Sequence, residues 1–209
     1  ELATNNELAR AVRRMGYRAL LAEGHDWILG NRSPNALYEL KTARGLPVLL
    51  RNYRLSDDIS FRFSAEWWSE RPLTADKFAL WAEEAGRGHP TVNLFMDIET
   101  FGEHQWSESG IFEFLNHLPD FVLRNPQSRF RTVSETARVS KKRTELDMHS
   151  LTSWADIERD LSAWRGNAMQ QSALSELYAL EKRVKAARDP GLLRDWRFLQ
   201  TSDHFYYMC

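Results

Sequence analysis

The sequence is short of several things at once, and each shortage removes a class of protein. One cysteine in 209 residues rules out an internal disulfide framework and points to a reducing compartment, the cytoplasm. No apolar run approaches the roughly 18 residues of a membrane helix, and no secretory signal is visible, so no membrane partner is expected. Neither sign of charge dominates. Lys and Arg number 28 against 29 Asp and Glu, for a net charge of −1, and no like-charge block reads as an interaction tail. A nucleic-acid partner is not expected from this balance. The six His stand at 25, 89, 104, 117, 149 and 204. None makes the H-x-x-x-H spacing of a helical zinc site, so no metal is favoured. There is no G-x-S-x-G elbow and no glycine-rich phosphate loop. No cofactor is implied, and there is neither an internal repeat nor a low-complexity segment.

Aromatics are what the chain has in quantity. Eight Trp, six Tyr and eleven Phe make up 12% of it. Such rings wall sugar- and base-stacking sites, and they also fill cores. The length allows one large domain or two small ones. The chain begins at Glu1 rather than Met and stops at Cys209, directly after Phe205, Tyr206, Tyr207 and Met208. Both ends read as cut.

Short apolar runs and helical patterns alternate through the first two thirds. Residues 18–22 read as a strand ending at Glu23. Ser33 and Pro34 resemble an N-cap with proline at the first helical position, and a short helix turning Leu37 and Leu40 inward would follow. Val48, Leu49 and Leu50 form the next strand candidate. Residues 59–63 alternate with period two, as an exposed strand or extended loop does. Thr74 can cap a helix carrying Phe78, Trp81, Ala82 and Ala85 on one face. Residues 91–96 read as a strand running into Asp97. Ile111, Phe114, Leu115 and Leu118 have helical spacing, and residues 130–133 are a last strand candidate. Strand and helix in alternation predict an α/β architecture with parallel strands over residues 1–140. From 141 to 209 no strand is expected. Lys141 to Met148 reads as a connector, Ser153 with Asp156 as a capping box, and Trp154, Ile157, Leu161 and Trp164 as one helical face. Further helices follow on Leu174, Leu177, Tyr178 and Val184, and again from Leu192 to Phe198.

The most informative stretch is Asn93-Leu-Phe-Met-Asp97-Ile-Glu99-Thr-Phe101-Gly102-Glu103-His104-Gln-Trp106. An apolar strand runs into two carboxylates one residue apart, then an aromatic, a glycine and a histidine. Parallel α/β folds hold their active sites at the carboxyl ends of strands. Period two puts Asp97 and Glu99 on one side of an extended segment, and the repulsion between clustered acids suits a general acid. The plain alternative is a strand end whose acids cap the next helix. Glu23 stands at the same position relative to its own strand, although a single solvated or capping Glu is common there. A third stretch sets Thr201, Ser202 and Asp203 against Phe205, Tyr206 and Tyr207. A sugar-binding wall and a helix packing its aromatics inward fit it equally.

The stretch from Phe95 to Trp106 resembles the fourth conserved region of glycoside hydrolase family 57, and the family's α-amylase group is the most similar. The segment around Glu23 resembles the third region, and Thr201-Ser202-Asp203 with the aromatics after it resembles the fifth. Arg51 to Ile59 and the Trp-bearing stretch from 154 also look like this group, so the similarity covers nearly the whole chain. The resemblance implies an incomplete seven-stranded β/α barrel followed by an α-helical bundle. It implies hydrolysis of α-1,4-glucans such as starch and maltodextrin, with retention of configuration. Glu23 would be the nucleophile and Asp97 the general acid/base. Glu99 and Asp203 would hydrogen-bond the sugar, with His104 and Trp106 as further substrate-binding residues. Retention requires the two catalytic carboxyl groups about 5–5.5 Å apart, hence at one end of one barrel. The family's first two conserved regions would lie ahead of Glu1. The chain is then expected to be the later part of a catalytic unit plus the start of the bundle, and inactive alone.

Three rivals remain. Asp97-Ile98-Glu99 also resembles the first acidic motif of a two-metal exonuclease, but the Tyr53 and Asp57 pair that would serve it precedes Asp97, the wrong order. A non-catalytic carbohydrate binder of the same build is opposed by the presence of both Glu23 and Asp97. A 4-α-glucanotransferase shares the covalent intermediate and differs only in whether water or a sugar hydroxyl reaches it. The sequence carries no signature of oligomeric state.

Overall fold

Asn5 precedes the first helix. Its side chain accepts from the Leu8 amide and so caps α1 (Asn6–Arg14), with Glu7 in the first turn and Arg13 and Arg14 in the last. That arrangement suits the helix dipole. The computed structural model describes residues 1–208; Cys209 lies outside the described residues. Residues 4–150 form one compact unit. Residues 1–3, with the chain from 151 onward, form another.

The first unit is built on a four-stranded mixed sheet in the order β1-β3-β2-β4. Its strands are β1 (Leu20–Glu23), β2 (Tyr38–Leu40), β3 (Val48–Arg51) and β4 (Thr144–Leu146). β1 and β3 are parallel, with Leu20 opposite Val48 and Glu23 opposite Arg51. β2 is antiparallel to β3 and parallel to β4. All four residues of β3 are buried, as a central strand covered on both faces should be. One core gathers Ala22, Leu40, Val48, Leu50, Leu146 and Met148 beneath α1 and α2 (Asp26–Leu29).

A second core lies among α3 (Tyr53–Ser60), α4 (Ala75–Gly86) and α5 (Ile111–Leu123). Leu55, Ile59, Phe63, Phe78, Ile111, Phe114 and Leu118 meet there. Phe114 sits edge-on between Phe63 and Phe78, at ring separations of 5.2 and 5.7 Å. A single-turn helix, α6 (Val133–Thr136), opens on a capping box between Thr132 and Glu135.

The second unit holds α7 (Ser162–Arg165), α8 (Ala168–Ala179), α9 (Glu181–Ala187), α10 (Pro190–Phe198) and α11 (Ser202–Tyr206). Buried Gln170 donates to the carbonyls of Ala163 at 2.8 Å and Phe205 at 2.9 Å, fastening three of these helices together. Trp164, Leu177, Val184, Trp196 and Phe205 form the unit's core.

The α/β class expected from the sequence is present, with β1, β3, α4 and α5 where the patterns put them. Several expectations are corrected. The sheet is mixed, because β2 runs against β3. Residues 33–40 hold strand β2 rather than a helix; Tyr38 and Leu40 are buried two apart, as strand residues are. Residues 59–63 are not extended. Asn52 caps α3 through the Leu55 amide, Ile59 closes the core face of that helix, and Phe63 reaches the same core from the turn after it. Residues 130–133 lead into α6 instead of forming a strand. Strand β4 lies past residue 140, so the stretch from 141 to 148 carries sheet. Residues 153–161 form turns: Ser153 Oγ donates to the Asp160 carbonyl at 2.5 Å and accepts from the Ala155 amide at 3.1 Å. Asp156 and Arg159 adopt positive φ, and Ile157 is 95% exposed, so no helical face forms there.

Candidate active site

Two strand ends organise the candidate site. β1 and β3 are in-register parallel neighbours, and each ends on a charged residue: Glu23 on one, Arg51 on the other. The Glu23 side chain is fully buried and that of Arg51 is 5% exposed. Arg51 Nη1 donates to Glu23 Oε2 at 3.0 Å. The other Glu23 oxygen, Oε1, accepts from the Gly24 amide at 2.8 Å. Gly24 has a steric reason to be glycine. A Cβ there would stand 2.5 Å from the Arg51 carbonyl oxygen and 3.1 Å from Pro34 Cβ.

The remaining Arg51 donors reach two other elements. Nη2 meets Asp57 Oδ1 on α3 at 2.5 Å, and Nε donates to the Phe95 carbonyl at 2.7 Å. Phe95 stands two residues before Asp97. One guanidinium therefore ties the Glu23 carboxylate to the segment that leads into Asp97. That segment is held by other bonds too. The Asn52 amide donates to the Asn93 carbonyl at 2.8 Å, Asn93 Nδ2 to the Leu50 carbonyl at 3.0 Å, and the Phe95 amide to Ser56 Oγ at 3.2 Å. Residues 91–97 thus run along the end of β3 without a regular ladder, which corrects the strand expected there.

Asp97 is exposed, and its carbonyl accepts from the Thr100 amide to open a 3-10 turn, Ile98–Thr100. The next loop folds back on itself. The Glu99 carbonyl accepts from the amides of Glu103 at 3.1 Å and His104 at 2.9 Å, and residues 101 and 105 form a bridge. Gly102 takes φ +120° at its tip, a backbone shape that excludes most side chains. Buried Gln105 anchors the loop by donating to the Ser60 carbonyl at 2.9 Å. Glu99 and His104 are exposed, and Trp106 is 67% exposed.

The structure thus gathers Asp97, Glu99, His104 and Trp106 on one loop system and links its root to Glu23 through Arg51. Asp203, in the first turn of α11, belongs to the second unit and is exposed. Of the aromatics after it, Phe205 is buried and Tyr206 packs 6.1 Å from Trp164, so two of the three are core; Tyr207 is 83% exposed. Among the described residues no group of three or more His, Cys, Asp or Glu is gathered as a metal-ligand set.

Sequence reasoning underused Arg51 and Asp57. Arg51 had a signal: a charged residue closing an apolar strand, as Glu23 does. The polar group beyond the strand ends was missed outright. Tyr53 Oη donates to Asp26 Oδ2 at 2.7 Å, and Arg54 Nη2 reaches the same oxygen at 3.1 Å. Arg54 Nε also donates to Tyr53 Oη at 3.3 Å, and its bonds to Tyr53 and then Asp26 hold its pKa above the usual value. Trp27, 64% exposed, lies with its ring 5.5 Å from that of buried His25.

Residues 1–149 match the model of glycosyl hydrolase family 57. A protein of Methanocaldococcus jannaschii named "Putative alpha-amylase" is 43% identical over 217 residues, covering 99% of this chain and 46% of that protein. The chain thus spans about half the length of this relative. The match covers both strand ends and the whole Asp97 loop, and the chain belongs to glycosyl hydrolase family 57.

Proposed function

We propose that the protein containing this chain is a retaining glycoside hydrolase acting on α-1,4-glucans, with starch and maltodextrin as its substrate class. The observation that carries this is the Arg51 bridge. It fixes a buried carboxylate, Glu23, and reaches the backbone two residues before an exposed one, Asp97. Membership of a glycosidase family and similarity to a protein named as an amylase support the same reading.

Glu23 is the nucleophile in this proposal. A guanidinium at 3.0 Å and a backbone amide at 2.8 Å favour the ionised carboxylate and fix its orientation. The carboxylate attacks the anomeric carbon as the bond to the departing sugar oxygen breaks. Asp97 delivers its proton to that oxygen. Water then attacks the glycosyl ester, Asp97 takes the water's proton, and Glu23 is released. Two inversions give net retention. Glu99, His104, Trp106 and Asp203 are the substrate-binding residues. The sheet of the first unit belongs to an incomplete seven-stranded β/α barrel, and the second unit begins a helical bundle.

The test is an assay of the intact protein on maltooligosaccharides, following the anomer released by NMR. Retention predicts the α-anomer first. Glu23→Gln and Asp97→Asn should each lower kcat, by about 10²–10⁴-fold for the acid/base. Unchanged turnover in either variant removes that residue from the mechanism. Products longer than the substrate would redirect the proposal to glucan transfer.

A further inference from the structure

At the other end of β1 and β3, away from Glu23 and Arg51, four arginines line one open cavity of about 320 Å³. They are Arg13 on the last turn of α1, Arg18 ahead of β1, Arg138 after α6, and Arg143 ahead of β4. Tyr17 and Ser134 add hydroxyl groups, and Pro47, whose carbonyl accepts from the Leu20 amide at 2.9 Å, forms part of the floor. Three residue steps separate this end of the strands from the Glu23–Arg51 row, about 10 Å. We propose that this cavity is a binding site for a small phosphorylated anion.

The charge balance is the first argument. Arg13, Arg18 and Arg138 make no salt bridge among the described residues. Two acids stand near: Glu39 pairs with Arg143 itself, and Glu135 is engaged by Thr132. Glu39 is 3.8 Å from Arg143 Nη1 and accepts from the Gly45 amide at 2.9 Å. Glu135 interacts with Arg138 only through space, while its Oε2 takes both donors of Thr132 at 2.8 Å. Four guanidinium groups facing two committed carboxylates leave a net positive concavity, which concentrates anions.

Arg143 supplies the second argument. Its side chain is 18% exposed, and its Nε is buried without a hydrogen-bond partner. A buried donor left unsatisfied is costly, and charged donors more so. The planar fork of arginine matches phosphate oxygens in a bidentate way. A phosphate bound in the cavity supplies acceptors to the lining guanidinium groups together. The cavity volume admits a diphosphate or a hexose phosphate. None of its lining residues belongs to the proposed catalytic machinery, so the inference stands whether or not the glycosidase reading does.

Isothermal titration of the intact protein with inorganic pyrophosphate, and separately with a hexose monophosphate, tests this. The expected result is one saturable site per chain, weakened at least tenfold by the exposed pair Arg18→Ala/Arg138→Ala. Arg143→Lys should weaken it as well, because the fork is lost while the charge stays. Hydrolysis of maltooligosaccharide without phosphate should be unchanged in the Arg18→Ala/Arg138→Ala variant. Tighter binding of the hexose phosphate than of pyrophosphate identifies a sugar phosphate as the ligand; the reverse identifies a free polyphosphate. No saturable binding by either probe overturns the proposal, as does binding indifferent to the substitutions. Capture of anionic vesicles or single-stranded nucleic acid without binding of the small anions also overturns it, and assigns the arginines to a macromolecular surface.

Discussion

Glu23 and Asp97 hold their carboxylates in opposite ways. Glu23 sits at the end of a buried strand, with no exposed side-chain surface and both oxygens engaged. Asp97 stands exposed at the start of a turn, on a segment whose order comes from backbone bonds and from Asn93, Ser56 and Gln105. The difference matches the roles proposed for them. A nucleophile gains from a fixed, ionised carboxylate that approaches one carbon. A general acid/base must exchange its proton with water once per turnover, so exposure serves it. The fold separates rigidity from access, and one arginine ties Glu23 to the backbone two residues before Asp97.

The largest effect expected from breaking this contrast is on Arg51. Arg51→Met strands the buried Glu23 carboxylate and releases Asp57 and the Phe95 carbonyl. Breaking a buried pair from one side costs about 3–5 kcal/mol. Denaturant unfolding should show that loss, and residual activity in the folded fraction should fall with it. A stability loss without an activity loss would reduce Arg51 to a structural clamp.

The two carboxylates should then part company under matched substitution. Glu23→Gln should cost about 1–3 kcal/mol of stability, since Arg51 keeps its bonds to Asp57 and Phe95 while the buried pair loses its charge. Asp97→Asn should stay within about 0.5 kcal/mol, as exposed positions do. Both should lose activity. Equal stability costs, read from urea midpoints, would erase the distinction between a held and an accessible carboxylate.

Gly24→Ala probes the held side without touching charge. The added methyl meets the Arg51 carbonyl oxygen at 2.5 Å and must push β1 and β3 apart at the ends that carry Glu23 and Arg51. A cost of about 1–3 kcal/mol is expected, with activity lowered. A variant of wild-type stability and rate would show that the strand ends can separate without consequence.

How much of this was legible depended on what held each segment. β1 and β3 are apolar runs closed by a charge, and α4 and α5 present long apolar faces; pattern reading finds both. β2 was hidden, because Leu37 and Leu40 are spaced like a helical pair and three residues are too few to show alternation. The segment from 91 to 97 looked like a strand because it is apolar. Its bonds instead run through the Asn93 side chain and Ser56 Oγ, which no periodicity encodes. Residues 153–161 offered a helix signature that a serine-centred turn overrode. At the site, Glu23 and the Asp97 loop could be singled out from motif and position. Arg51's triple engagement could not, since it joins residues 28, 6 and 44 positions away in sequence.

The smallest effect concerns the neighbour of Asp57, and it tests the premise that a nearby arginine keeps a buried carboxylate ionised. Asp58 faces Arg62 at 2.6 Å, a contact as short as those Arg51 makes, yet its pKa is raised above 3.8. Burial is the main cause and outweighs the stabilising Arg62 contact, with Asp57 and Glu70 adding repulsion. A raised folded-state value means that the folded protein binds the proton more tightly than the unfolded chain. Ionised Asp58 therefore costs stability at high pH, and the cost disappears as pH falls below the unfolded value of 3.8. Asp58→Asn removes the ionisation and can keep an acceptor for Arg62. Its stability relative to the parent should improve as pH rises from 3.8 through the raised value, by less than about 1 kcal/mol for so partly solvated a pair. Paired urea titrations across that window read the sign. A variant that instead loses ground as pH rises would mean that arginine contact beats burial at this largely buried position. That would strengthen the case for an ionised Glu23, where a backbone amide adds to the guanidinium.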